Sequence, residues 1–158
     1  MRRLGSKVAM ALAAALALAG CGTYPADPAG TLERVVDGTL RVGASENGKW
    51  VDIDGATVQG TEADLVREFA ARIGAEVEWV SGTEHVLADE LKHGELDLVI
   101  GGLDDKTPWA QHGGLTRVYA ESRDSRDSLH KHVMLVPLGE NAFLLELDKF
   151  LMEAKEQG

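Results

Sequence analysis

Residue types that could do chemistry are sparse in this 158-residue chain, and its single cysteine is the clearest of them. Cys21 follows Leu18-Ala19-Gly20, and small residues before a cysteine at the end of an apolar run are typical of a bacterial lipoprotein signal. The apolar run, Val8 to Leu18, has roughly 11 residues and is too short to span a bilayer. We therefore expect residues 1–21 to be a signal peptide, and acyl chains on Cys21 to anchor the protein to a membrane.

A second group of residues could form half of a ligand cleft. Adjacent glycines would let a ligand reach bare backbone, a threonine could offer its hydroxyl, and a helix starting at Pro108 would present free N–H groups to an anion. Tryptophan rings could stack on a ring or an apolar ligand. Structural roles are the alternatives: a turn for the glycines, a cap for the threonine, and packing for the tryptophans. The candidate ligand-binding residues are Trp50, Gly101, Gly102, Thr107 and Trp109.

Candidates for a metal site are weaker. His130 and His132 point the same way on a predicted strand and could join a zinc site, but no further His or Cys lies near them in sequence. Residues 52–55 echo the start of a calcium loop without its later ligands, so a hairpin turn is favoured there. Asp104-Asp105 is better explained as a solvated loop. We expect no metal and no cofactor.

The charge balance restricts the partners. The chain has 26 acidic and 16 basic residues and a formal net charge of −10. Such a surface argues against nucleic acid and against lying flat on anionic lipid, and it favours solubility. With one cysteine no disulfide can form within the chain, so packing alone must hold the domain together.

Strands and helices alternate in the part of the chain that must position these residues. This order predicts an α/β domain of three layers on a mainly parallel sheet. Predicted strands are Thr39–Gly43, Glu76–Val80, Leu96–Ile100, Leu115–Ala120 and His132–Pro137, with a hairpin at Trp50–Val58. Predicted helices are Thr61–Gly74, with a capping box of Thr61 and Asp64; Thr83–Gly94, burying Val86, Leu87 and Leu91; and Asn141–Glu156.

Two segments fall outside this alternation. Residues 22–37 are rich in Pro, Gly, Ala and Asp, which predicts a flexible tether before a domain at 38–158. Residues 122–128 repeat Ser-Arg-Asp and contain no apolar side chain, which predicts a solvated linker over residues 121–129.

The order of several short motifs resembles the family 3 extracellular solute-binding proteins of amino-acid ABC transporters. The resemblance covers about 110 residues, and each motif is weak when taken singly. The matching segments are Leu40-Arg41-Val42-Gly43, Gly60-Thr61-Glu62-Ala63-Asp64-Leu65, Gly94 to Gly102, Thr107-Pro108, Leu115 to Tyr119, and Val133 to Leu151.

The resemblance implies one lobe of a type 2 periplasmic-binding-protein fold. Family members have two lobes that close on a ligand, and the second lobe would lie between Tyr119 and His130, where this chain has only the predicted linker. An arginine after the Thr-Pro pair commonly grips a ligand carboxylate in the family, whereas Trp109-Ala110-Gln111 follows here. Half of the usual contacts are thus absent, which implies weak binding of a small molecule.

Three functions remain open at this point. The first is a membrane-anchored solute-binding lipoprotein of the cell envelope that presents a ligand to a transporter. The second is a lipoprotein that has lost ligand binding and docks on a membrane partner or on a second copy of itself. An enzyme is the least favoured, because no serine, cysteine or histidine lies in a nucleophile motif.

Overall fold

The computed structural model describes residues 25–157, so the predicted signal peptide and Cys21 lie outside the described residues. The helices are α1 (Thr31–Val35), α2 (Thr61–Ile73), α3 (Glu84–Lys92) and α4 (Asn141–Gln157), and Pro108–Gln111 is a 3-10 turn. The strands are β1 (Thr39–Ala44), β2 (Asp52–Asp54), β3 (Thr57–Gln59), β4 (Glu76–Ser81), β5 (Leu98–Ile100), β6 (Gly114–Leu115), β7 (Ala120–Arg123), β8 (Leu129–His132) and β9 (Leu135–Val136).

A five-stranded sheet in the order β4-β1-β5-β9-β6 forms the centre of the fold. β1 is parallel to both β4 and β5, whereas β9 is antiparallel to β5 and to β6. The prediction of an α/β domain on a mainly parallel sheet is confirmed. We call the edge where β1, β4 and β5 end the carboxyl edge, and the edge where they begin the amino edge.

Helices cover both faces of this sheet because its strands are apolar on both sides. On one face, buried side chains of β1 such as Leu40 and Val42 pack with α1, α2 and α4. On the other face, Val99 of β5 packs with Leu87 and Leu91 of α3. The result is the predicted three-layer arrangement. Among the helices of residues 25–157, none combines the length and apolar character that crossing a membrane requires.

The start of α2 differs from the predicted capping box. Gly60 occupies the cap position and no side chain caps this end, because the Thr61 hydroxyl donates to the carbonyl of Lys49 (3.4 Å). The β2–β3 hairpin brings that carbonyl close, where it also accepts the Thr61 backbone N–H (3.1 Å). The predicted end is confirmed: Gly74 has φ 73°, a left-handed conformation that glycine adopts without strain.

The prediction that Val86 of α3 is buried in the core is wrong. Val86 is 48% exposed, whereas Leu87, Ala88 and Leu91 are buried. The buried stripe therefore begins one residue later than predicted, which turns Val86 towards solvent.

The predicted tether does not extend to residue 37. The Asp27 carboxylate accepts the backbone N–H of Ala142 (2.7 Å) at the start of α4. In return, the Glu140 carboxylate accepts the N–H of Thr31 (2.9 Å) at the start of α1. The last residue of α1 is fully buried. The domain thus begins near Asp27, since this segment caps α4 and packs on the core.

Residues 121–129 form a hairpin where an irregular linker was predicted. β7 and β8 pair antiparallel, from Ala120 opposite His132 to Arg123 opposite Leu129. The Asp124 carboxylate closes the turn by accepting the N–H groups of residues 126 (2.8 Å) and 128 (2.9 Å). The predicted strands on either side are accordingly divided: residues 114–115 and 135–136 join the main sheet, and residues 120–123 and 129–132 form the hairpin.

Candidate functional site

The candidate cleft lies at the carboxyl edge, where parallel α/β sheets commonly bind ligands. The loop after β5 turns away from the sheet there and meets the start of α3. A cavity of about 210 Å³ lies between them, lined by Glu84, Gly102, Leu103, Asp104, Lys106, Thr107 and Pro108. Two of the five predicted ligand-binding residues, Gly102 and Thr107, border this cavity.

The backbone amides at Gly101 and Gly102 are already engaged. Both donate to one carboxylate oxygen of Glu62, at 2.8 and 2.9 Å, and the Tyr119 hydroxyl donates to the other oxygen. The Gly101 carbonyl in turn accepts the side-chain amide of Asn47 (2.6 Å). The bare backbone that we expected a ligand to reach at these two glycines is therefore occupied by a carboxylate of the chain itself.

Glu62 is fully buried, and sequence analysis missed it. Burial raises the pKa of this carboxyl, while the hydrogen bonds from Tyr119, Gly102 and Gly101 lower it in part. Burial next to Glu62 also raises the pKa of Tyr119 far above its ordinary value, so the phenol keeps its proton and remains a donor. The only sequence signal was an acidic residue in the first turn of α2, which equally fits a solvated helix start.

Trp50 is partly buried and packs against the core rather than lining the cavity. Its ring lies on the imidazole of His132, with 3.9 Å between ring centroids, and Lys49 Nζ lies 4.9 Å from the indole centroid. A Cβ on Gly102 would lie 3.0 Å from Trp50 Cδ1, and φ at Gly102 is 63°. Glycine is favoured at position 102 because the left-handed backbone strains other residues and a Cβ would also lie 2.6 Å from the Asn47 side-chain nitrogen.

Thr107 and Trp109 have structural partners as well. The Thr107 hydroxyl accepts the backbone N–H of Trp109 (3.4 Å), as expected of a cap for the 3-10 turn. The indole N–H of Trp109 donates to Glu84 Oε2 (2.8 Å), and its ring packs on the smaller core below α3. Trp109 thus holds the Glu84 carboxylate in place at the cavity wall.

Three charged side chains line the cavity: Glu84, Asp104 and Lys106. Sequence analysis did not single out Glu84 or Lys106. Asp104 Oδ2 lies 3.0 Å from His130 Nδ1, and this hydrogen bond holds the pKa of Asp104 below its ordinary value. Two carboxylates and one ammonium therefore surround about 210 Å³ of space. Such a set suits a small polar solute that carries a basic group.

The two histidines considered for zinc lie in separate environments. His130 is hydrogen-bonded to Asp104 (3.0 Å) and forms a longer ion pair with Asp124 (3.6 Å), and both carboxylates raise its pKa despite some desolvation. His132 is buried, which lowers its pKa, and its Nε2 lies 2.7 Å from the hydroxyl of Ser122. Nowhere in residues 25–157 do three His, Cys, Asp or Glu side chains gather as metal ligands would.

A larger cavity of about 550 Å³ lies at the amino edge, away from the cleft. Arg34 of α1 and Arg41 of β1 line it and share the fully buried Asp97 carboxylate, at 2.6 and 2.7 Å. Burial raises the pKa of Asp97, but the hydrogen bonds from both arginines outweigh that effect and lower it. Because both guanidinium groups pair with Asp97, these ion pairs hold α1 on the sheet.

The family model of bacterial extracellular solute-binding proteins, family 3, matches residues 40–158. No curated protein sequence gives a significant match.

Solved structures share the fold. The arginine-bound form of domain 1 from TmArgBP superposes with a TM-score of 0.63 at 23% identity, over 73% of this chain and 92% of that chain. The ancestral cationic amino acid solute binding protein AncCDT-1 gives 0.69 at 15% identity, over 81% and 95%. A truncated ArgBP from T. maritima (residues 20–233), also arginine-bound, gives 0.64 at 14% identity, over 73% and 96%.

Domain 1 by itself is matched almost completely, which agrees with a single lobe. Together with the family model, which covers most of the sequence, these findings show that the chain belongs to family 3 of the bacterial extracellular solute-binding proteins.

Proposed function

We propose that the protein binds a small solute with a basic group in the carboxyl-edge cleft, as the substrate-binding component of a transporter. In this proposal acyl chains on Cys21 hold it at the extracytoplasmic side of a bacterial membrane. The observation that carries the ligand proposal is the cavity wall formed by Glu84, Asp104, Lys106 and Thr107.

The position of Glu84 supports a basic ligand. The Trp109 indole fixes one of its oxygens, which leaves the other oxygen to meet a cation without a large loss of side-chain freedom. Asp104 adds a second carboxylate, and the net charge of −10 attracts cations over longer distances. The arginine-bound form of domain 1 from TmArgBP also favours the idea that one lobe of this fold holds a cationic amino acid.

The test is thermal unfolding of the full chain in detergent, with arginine as the probe and glutamate as the solute of opposite charge. With a Kd of about 1 mM, 10 mM arginine would stabilise the fold by about 1.4 kcal/mol. That corresponds to a rise in Tm of roughly 3–6 °C. Glutamate is expected to give no rise.

Glu84→Gln is the matching variant because it removes the charge and keeps an acceptor for the Trp109 indole. It should abolish most of the arginine-dependent rise in Tm. The control, Asp89→Asn, removes a charge from the exposed side of the same helix and should leave the rise unchanged. Equal rises in both variants, or none with the unmodified chain, would contradict the proposed site.

The lipid anchor is tested separately. Mass spectrometry of the protein from bacterial membranes should find Cys21 at the N-terminus with acyl chains attached. Cys21→Ser should release the protein from the membrane fraction. An unmodified Cys21 in a membrane-free protein would refute the anchor without affecting the ligand proposal.

A further inference from the structure

The hairpin of β7 and β8 has one covered edge and one open edge. The outer edge of β8 pairs with the loop after β5, through Asp105 N–H to the Lys131 carbonyl (2.9 Å) and Val133 N–H to the Leu103 carbonyl (3.0 Å). Within residues 25–157, β7 pairs with no strand other than β8. β7 therefore presents unpaired backbone donors and acceptors, which commonly pair with another strand.

We propose that β7 pairs antiparallel with β7 of a second copy of this chain. The two hairpins then form one four-stranded sheet with a two-fold axis at Ser122. This inference does not rest on solute binding, because it uses the hairpin alone.

The charges on β7 are complementary to themselves in this arrangement. Glu121 and Arg123 are exposed on the outer face of the hairpin, because alternate residues of a strand share a face. Pairing centred on Ser122 places Glu121 opposite Arg123 of the second copy, and Arg123 opposite Glu121 of that copy. Opposite charges across paired strands are favourable, so both symmetric pairs support the same register.

The neighbouring strand extends this pattern. Lys131 is opposite Glu121 within the hairpin, and Leu129 is opposite Arg123. Across the four strands, Lys131 and Glu121 of one copy would therefore be followed by Arg123 and Leu129 of the second copy. Leu129 is 41% exposed, one of few large apolar side chains exposed to this extent among the described residues. A long aliphatic arginine stem beside it would cover part of that surface.

Several contacts within the chain also hold the hairpin in place. The Asp124 carboxylate fixes the turn through two backbone N–H groups, and Arg123 donates to the Asp127 carbonyl (2.9 Å). His130 ties the same turn to Asp104 on the loop after β5. A strand held in this way loses little conformational freedom on pairing, which favours association.

Sedimentation of the full chain in detergent tests the proposal. The unmodified chain should form dimers as its concentration rises. Glu121→Arg makes β7 wholly positive and Arg123→Glu makes it wholly negative, so each variant alone should self-associate roughly tenfold more weakly. An equimolar mixture of the two variants should form heterodimers, since each edge then meets its opposite.

Asp52→Arg is the matched control, because it reverses a charge on the other hairpin, β2–β3, and should leave dimerisation unchanged. A chain that stays monomeric at every concentration would overturn the proposal. So would dimers that Glu121→Arg leaves intact, or a mixture of the two variants that fails to associate.

Discussion

At the scale of single residues, two buried carboxylates organise opposite edges of the sheet. Glu62 joins the start of α2 to the glycine turn after β5 and to Tyr119 before the hairpin. Asp97, just before β5, binds Arg41 of β1 and Arg34 of α1. Each links segments that are distant in sequence, and each is fully buried with all of its partners on the chain itself.

Replacing Glu62 with glutamine should destabilise the domain by about 1–3 kcal/mol, because an amide –NH₂ cannot accept the hydrogen bonds that one carboxylate oxygen accepts. Urea unfolding measures the difference in the free energy of unfolding. Glu68→Gln, at an exposed position of the same helix, is the control and should change stability by less than about 0.5 kcal/mol. Equal effects of the two substitutions would show that Glu62 has no structural role.

Replacing Asp97 with asparagine should cost about 3 kcal/mol at neutral pH, since it removes the common partner of two arginines. The folded pKa of Asp97 is lowered from its ordinary value of 3.8, so the ion pairs stabilise the protein above that pH. This stabilisation is lost as the pH falls through the folded pKa. Urea unfolding at a series of pH values should show that the difference in the free energy of unfolding between the unmodified chain and Asp97→Asn shrinks below about pH 3.8. A difference that does not depend on pH would contradict this account.

At the scale of elements, the hairpin is the feature that distinguishes this chain. It occupies the place where the resemblance puts a second lobe, and its turn is closed by Asp124 and clamped by His130. Asp127 adopts φ 62° in that turn, a conformation that aspartate tolerates better than most residues. The Ser-Arg-Asp segment therefore has the residues of a defined turn and keeps β7 and β8 in register.

The clamp on His130 should depend on pH. The folded pKa of His130 is raised above 6.5 by the carboxylates of Asp104 and Asp124. The stability that these contacts contribute is therefore complete below pH 6.5 and is lost as the pH rises through the folded pKa. NMR titration of the imidazole should give a pKa above 6.5 in the unmodified protein. Asp104→Asn should lower that pKa, whereas Asp52→Asn on the other hairpin should not. A His130 pKa at or below 6.5 would show that the clamp does not form in solution.

At the scale of the whole molecule, the two ends of the described chain close the domain together. The Asp27 carboxylate caps α4, and the Glu140 carboxylate just before α4 accepts the N–H groups of Ala29 and Thr31. This reciprocal capping fixes α1 beside the amino edge, where Arg34 reaches Asp97. The cleft lies at the opposite edge of the sheet and is not touched by these contacts.

Asp27→Ala should therefore destabilise the domain by about 1–2 kcal/mol, as loss of a helix cap does. A flexible tether would predict no effect, so urea unfolding decides between the two descriptions. Glu33→Ala removes a charge from the exposed side of α1 and is the matched control. Identical unfolding curves for Asp27→Ala and the unmodified chain would support a flexible tether instead.

Local patterns in the sequence predicted most of the elements, the α/β class and the resemblance to the family, but not α1 or the β7–β8 hairpin. The helix that ends at Gly74 and the strand that ends at Ile100 are predicted from neighbouring residues, and the structure confirms both. Only the tertiary structure decided which polar groups meet: Glu62 at the glycine turn, Asp27 at α4, and Glu84 with Lys106 at the cleft. Periodicity records which side of an element is buried, whereas the partner of a polar side chain depends on segments brought together by folding.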